Sequence, residues 1–119
     1  MQHRDEIILQ KILSEIDIAF DMLGEADQDE FLKDEKLKRA VGMTVINIGE
    51  LVKNISDELR SEHREVPWKA IAGMRDIAAH KYQTLRMEDV YNTVTMDFPD
   101  LKEMLIAIIG LLPDERIIK

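Results

Sequence analysis

Apolar residues along this chain recur at three- and four-residue steps almost from end to end, and no stretch alternates apolar with polar as a half-buried strand does. In "DEIILQKILSEIDIAFDML" the residues Ile8, Ile12, Ile16, Ala19, Phe20 and Leu23 form one helical stripe, and Gly24 is placed to end it. The acidic stretch "EADQDE" reads as a link to a long second helix. There Leu37, Val41, Val45, Ile48, Val52, Ile55 and Leu59 share a stripe, while Met43, Ile46 and Leu51 add apolar surface elsewhere. A helix that is apolar on more than one side belongs at the centre of its fold. "HREV" closes it, Pro67 suits the first turn of a third helix, and Trp68 beside it reads as a packing anchor. That helix runs to about Lys81. The last segment, "MEDVYNTVTMDFPDLKEMLIAIIGLL", is helical on both sides of Pro99, whose missing donor should kink or break it. The expected class is all-α, a four- to five-helix antiparallel up-and-down bundle.

Length, charge and cysteine content narrow the function classes. A chain of 119 residues suits one domain, residues 1–119. With no cysteine there is neither a disulfide framework nor a thiolate metal site, and His3, His63 and His80 are too scattered for a zinc motif. No cofactor is expected. The amino terminus breaks its apolar run with charges too early for a signal peptide, and no segment has the apolar length of a membrane span, so a cytoplasmic protein without membrane attachment is expected. The net charge of −8 argues against nucleic acid as a general partner. Its distribution qualifies this: residues 60–86 hold six basic residues (Arg60, Arg64, Lys69, Arg75, Lys81, Arg86) against three acidic ones, a local +3 on a remainder of −11. Such a split is either an ordinary solvated surface or a modest basic site on an acidic body.

Within that segment "MRDIAAHKY" places an arginine, an aspartate, a histidine and a tyrosine on the third helix. On a helical wheel Ile71, Met74, Ile77 and Ala78 face the bundle, with Arg75 and Tyr82 at the edge of that arc. Asp76 and His80 lie four residues apart on another face, where the carboxylate can hold the imidazole in one tautomer. This is either an ordinary exposed pair or a reactive one. Glu50 reads as a partly buried carboxylate, the seven methionines as core filler, and Asp97 and Asp100 around Pro99 as the N-cap of a following helix rather than a metal site. Nucleophilic-serine, phosphate-loop and dinucleotide-binding glycine patterns do not occur.

The runs "IGELVKNISDELR", "VPWKAIAGMRDIAAHKY" and "VTMDFPDLKEML" together resemble the HepT group of HEPN-domain proteins. There a glycine-glutamate on the long helix, a proline-tryptophan helix start, an Arg-x4-His-x-Tyr motif and a leucine- or phenylalanine-proline follow in this order. The resemblance covers about residues 5 to 112. It implies a homodimeric, metal-independent endoribonuclease toxin that acts on RNA and is neutralised by a minimal nucleotidyltransferase antitoxin. Carried over by position, Arg75, Asp76 and His80 are the catalytic residues and Tyr82 is the tyrosine that the antitoxin modifies with adenylate; Lys69 and Lys81, from the basic segment, are expected to contact substrate. Three positions depart from the pattern: Asp76 stands where asparagine is common, Met43 where a basic residue is frequent, and Arg86 where an aspartate is expected.

The chemistry suits these residue types. A ribose 2′-hydroxyl attacks its own neighbouring phosphate when one group takes its proton, another protonates the leaving 5′-oxygen, and a cation meets the charge growing on the phosphoryl oxygens. Imidazole, with a reference pKa of about 6.5, serves as base or acid, and the planar guanidinium matches phosphate. Arg75 and His80 sit about 140° apart on an ideal helix, so one motif converges poorly and two copies in a dimer give a fuller site. Two other readings stay open: a non-catalytic subunit that presents substrate to a nucleotidyltransferase, and a plain helical dimerisation module.

Overall fold

The computed structural model describes residues 2–80 and 86–110, with residues 75–80 as helical backbone only. The described residues are all-helical: α1 (His3–Leu23), α2 (Gln28–Lys33), α3 (Glu35–Lys53), α4 (Asp57–Glu62), α5 (Trp68–His80), α6 (Met87–Asn92) and α7 (Phe98–Gly110), with a π-helical stretch, Thr93–Asp97, joining the last two. Because α6, that stretch and α7 run on without a gap, four long helical runs carry the fold and α2 and α4 are short pieces in the connections.

The expected stripes are the core. Ile8, Ile12, Ile16 and Ala19 of α1 and Val41, Val45, Ile48 and Val52 of α3 are buried together with Ile71, Val94, Phe98, Leu101 and Leu105. Helix α3 is central, packing most extensively against α5 and next against α1. Gly24 ends α1 as expected, at φ 55°, a conformation glycine adopts without a Cβ penalty, and its N–H donates to the Phe20 carbonyl at 2.9 Å.

Several expectations are corrected. The "EADQDE" link is partly helix, because Asp27 and Glu30 form a reciprocal capping box. The Glu30 N–H donates to Asp27 Oδ1 at 2.8 Å and the Asp27 N–H to Glu30 Oε1 at 3.0 Å. Phe31, wholly buried, then ties α2 to α6 through a tilted ring contact with Tyr91, centroids 5.5 Å apart. The long second helix is really two. It ends at Lys53, and Ser56 starts α4 by accepting from the Leu59 N–H at 3.2 Å. Buried Asp5, in the first turn of α1, locks this corner: the Ser56 N–H donates to Oδ1 at 3.0 Å and its hydroxyl to Oδ2 at 2.5 Å. Ile55 and Leu59 are buried on both sides of the break, which is why the apolar spacing concealed it.

Pro99 does not break the last run. A proline ring clashes with the carbonyl four residues back, and here the preceding turns widen to π geometry, the Phe98 N–H donating to the Thr93 carbonyl five residues back. Asp97 and Asp100 are therefore inside one continuous run and cap nothing. The methionines divide: Met22, Met74, Met87 and Met104 are half-buried and pack against the core as expected, whereas Met43 and Met96 are exposed. Glu50 is exposed, not partly buried. Trp68 is the anchor expected of it, 5% exposed with its indole N–H donating to the His63 carbonyl at 2.9 Å.

The Asp5–Ser56 clamp makes a stability prediction. Replacing Asp5 by Ala strands the part-buried Ser56 N–H and should cost about 2 kcal/mol, and Ser56→Ala should cost about 1 kcal/mol as a lost cap. In urea unfolding the double variant should lose less than the sum, since both changes remove one interaction.

Candidate functional site on the third long helix

Helix α5 begins directly after Pro67, and its anchoring is local: Trp68 is buried, the Trp68 N–H donates to the Val66 carbonyl at 2.8 Å, and Ile71 turns inward. Its register places Arg75, Asp76 and His80 in its last two turns. On that backbone Asp76 and His80 are one turn apart, and Arg75 lies about 7.5 Å from His80 along the axis. The side chains of Arg75, Asp76 and His80 lie outside the described residues, as do Lys81 and Tyr82 altogether. What the structure contributes is the platform: a helix held by α3 on one side and fixed at its start by an anchored tryptophan.

The basic segment divides into structural and exposed charges. Arg60 is half-buried and donates from Nη2 to the Val52 carbonyl at 2.9 Å, capping the carboxyl end of α3, so its charge serves the fold. Arg86 lies 3.6 Å from Glu88. Arg64 and Lys69 are exposed. Lys69 stands in the first turn of α5, which carries no acidic residue, and a cation there opposes the helix dipole. Its charge is not explained by helix stability. No group of three or more histidine or acidic side chains placed to hold a metal occurs among the described residues.

Between α5 and the last helical run is a groove of about 310 Å³, walled by Ala70 and Met74 on one side and by Phe98 and Met104 on the other, with Thr93, Asp97 and Asp100 also lining it. Sequence reading missed it. The carboxylates at Pro99 were visible, but only the π turn and the packing of the last run opposite α5 bring them to the helix that carries the motif.

The second tyrosine of the chain is engaged elsewhere. Tyr91 donates its hydroxyl to the Ala26 carbonyl at 3.0 Å and packs on Phe31. No helix among the described residues is long and apolar enough to cross a membrane.

A family model described as "Ribonuclease HepT-like" matches residues 12–108. A protein of Caldanaerobacter subterraneus subsp. tengcongensis named "Putative RNase" is 35% identical over 101 residues, covering 85% of this chain and 90% of its own. One of the same name from Methanocaldococcus jannaschii is 33% identical over 116 residues, 97% of this chain and 100% of its own. The "Probable ribonuclease HepT" of Thermococcus cleftensis is 34% identical over 100 residues, 84% of this chain and 89% of its own. No solved structure matches the chain.

The engaged Tyr91 hydroxyl gives a check on the site. Tyr91→Phe removes one part-buried hydrogen bond and should lower stability by about 1 kcal/mol in thermal or urea unfolding, and it should leave any chemistry at the motif unchanged.

Proposed function

The chain belongs to the HepT-like ribonuclease family, and on that footing we propose that it is a metal-independent endoribonuclease, the cytoplasmic toxin of a toxin–antitoxin pair. The observation that carries this reading is the family match across residues 12–108, which includes an Arg-x4-His on a single anchored helix. In the proposed reaction His80 takes the proton of a ribose 2′-hydroxyl and the 2′-oxygen bonds to the adjacent phosphorus. The bond to the 5′-oxygen breaks as that oxygen receives a proton, leaving a 2′,3′-cyclic phosphate. Arg75 balances the charge on the phosphoryl oxygens, Asp76 orients the imidazole from one turn away, and Lys69 and Lys81 hold flanking phosphates. The second histidine and arginine come from a second copy of the chain in a homodimer, because the two groups of one motif diverge around α5.

Control is proposed to act on Tyr82. A minimal nucleotidyltransferase partner joins the Tyr82 oxygen to the α-phosphorus of ATP and pyrophosphate leaves. The adenylate brings bulk and negative charge to the end of α5, where substrate phosphate must sit.

His80→Ala should lower RNA cleavage by about a hundredfold or more with melting nearly unchanged, and Arg75→Ala should behave alike. Mixing the two inactive chains should restore part of the activity if one site draws on both copies; sedimentation showing only monomer would contradict the dimer. Lys69→Ala should reduce the salt slope of RNA binding by about one and leave stability equal or slightly higher. Co-expression with the partner, followed by peptide mass spectrometry, should find adenylate on Tyr82, and Tyr82→Phe should stay active and escape the partner. Adenylate on Tyr91, or none, would overturn the control mechanism.

A further inference from the structure

We propose that the groove between α5 and the π-turned last run is a binding subsite for guanine, taking a base that flanks the cleaved phosphate; the second half of this statement rests on the ribonuclease reading. Three features of the groove point to such an occupant. Its volume, about 310 Å³, is at the small end of ligand pockets, and its walls at Ala70, Met74, Phe98 and Met104 are apolar, suited to the faces of a flat ring. Its polar side chains are those of Thr93, Asp97 and Asp100, and among the described residues none of the three makes a side-chain hydrogen bond or ion pair. No basic side chain lines it among the described residues.

The charge decides which part of a nucleotide fits. Two carboxylates in a groove whose described lining holds no cation repel phosphate, so the phosphate stays outside, nearer the motif. They accept hydrogen bonds only. Among the common bases guanine presents two adjacent donors, N1–H and the N2 amino group, with no acceptor between them, and a carboxylate receives such a pair with both oxygens. Adenine and cytosine put an unprotonated ring nitrogen beside their amino group, which a carboxylate repels. Uracil places a carbonyl on each side of its single N–H.

Position supports the same occupant. Met74 lines the groove and precedes Arg75 in the chain, so groove and motif are consecutive along one helix. The π stretch belongs to the arrangement: Asp97 is its last residue, and Thr93, whose carbonyl accepts the five-residue bond, is its first. Such turns often mark functional positions in helices.

The experiment has a binding arm and a cleavage arm on the purified full chain. In the first, guanosine, adenosine and cytidine are titrated separately while the methionine methyl resonances are followed. Guanosine should shift Met74 and Met104 saturably and the other nucleosides should not. Ala70→Leu, which fills the groove with a residue of similar helix propensity, should abolish the shift. In the second, cut sites are mapped in an RNA pool of random sequence. A guanine should be enriched next to the cut bond, and Asp97→Asn with Asp100→Asn should reduce that enrichment about tenfold by removing charge-assisted acceptors. Guanosine that leaves both methyls unmoved, or enrichment equal in wild type and the double variant, overturns the subsite. Guanosine bound at the methyls by a protein that cuts no RNA overturns the ribonuclease reading and keeps the subsite. Cleavage without base preference and without guanosine binding does the reverse.

Discussion

The fold depends on α3 being buried from two sides. A helix with apolar side chains on a single stripe satisfies one neighbour; α3 carries enough of them to pack against both α1 and α5. Val41, Val45, Ile48 and Val52 are all nearly or wholly inaccessible to solvent, and each such side chain contributes about 1.5 to 3 kcal/mol through its removal from water. The consequence for function is geometric. With α5 resting on α3, Ala70 and Met74 are left to border the groove beside the last helical run.

Polar interactions set the corners that this apolar packing leaves undetermined. Asp5 would be costly to bury alone, yet its two oxygens are taken by the backbone and hydroxyl of Ser56, and the same serine opens α4. The start of α1 is thereby joined to the turn after α3. A comparable arrangement closes the other end, where Tyr91 reaches the Ala26 carbonyl and Phe31 fills the space beneath it. Arg60 supplies a third corner by donating to the Val52 carbonyl. These are long-range or medium-range bonds from residues that look, in the sequence, like ordinary surface charges and hydroxyls.

The π stretch before Pro99 connects fold to site. A proline within a helix removes one hydrogen bond and crowds a carbonyl, and the chain answers by widening the turns ahead of it rather than by stopping. The run continues into α7 with Phe98, Leu101 and Leu105 still buried, so the core is kept. What changes is the register of the outer face, which sets Thr93, Asp97 and Asp100 along the groove that α5 borders.

By itself the sequence determined the helical class, the central place of the second apolar stripe, the Gly24 stop, the Trp68 anchor and the ordered motifs by which the family was legible. All of these are local or periodic, and the physics of a helix is local: spacing, caps and propensity act within a few residues. The capping box at Asp27 and Glu30 was equally local and was legible in principle as Asp-x-x-Glu ahead of Phe31. Only the tertiary structure decided that the long helix breaks at Ser56, that Arg60 serves α3 rather than a basic surface, and that Asp97 and Asp100 line a groove instead of capping a helix. Each of those outcomes depends on a partner distant in the chain, Asp5 for the first and α5 for the last, or on a backbone carbonyl whose availability the sequence does not display. Apolar periodicity runs through a break without a mark when both sides of the break are buried, and a charge shows its partner only once the chain has folded around it.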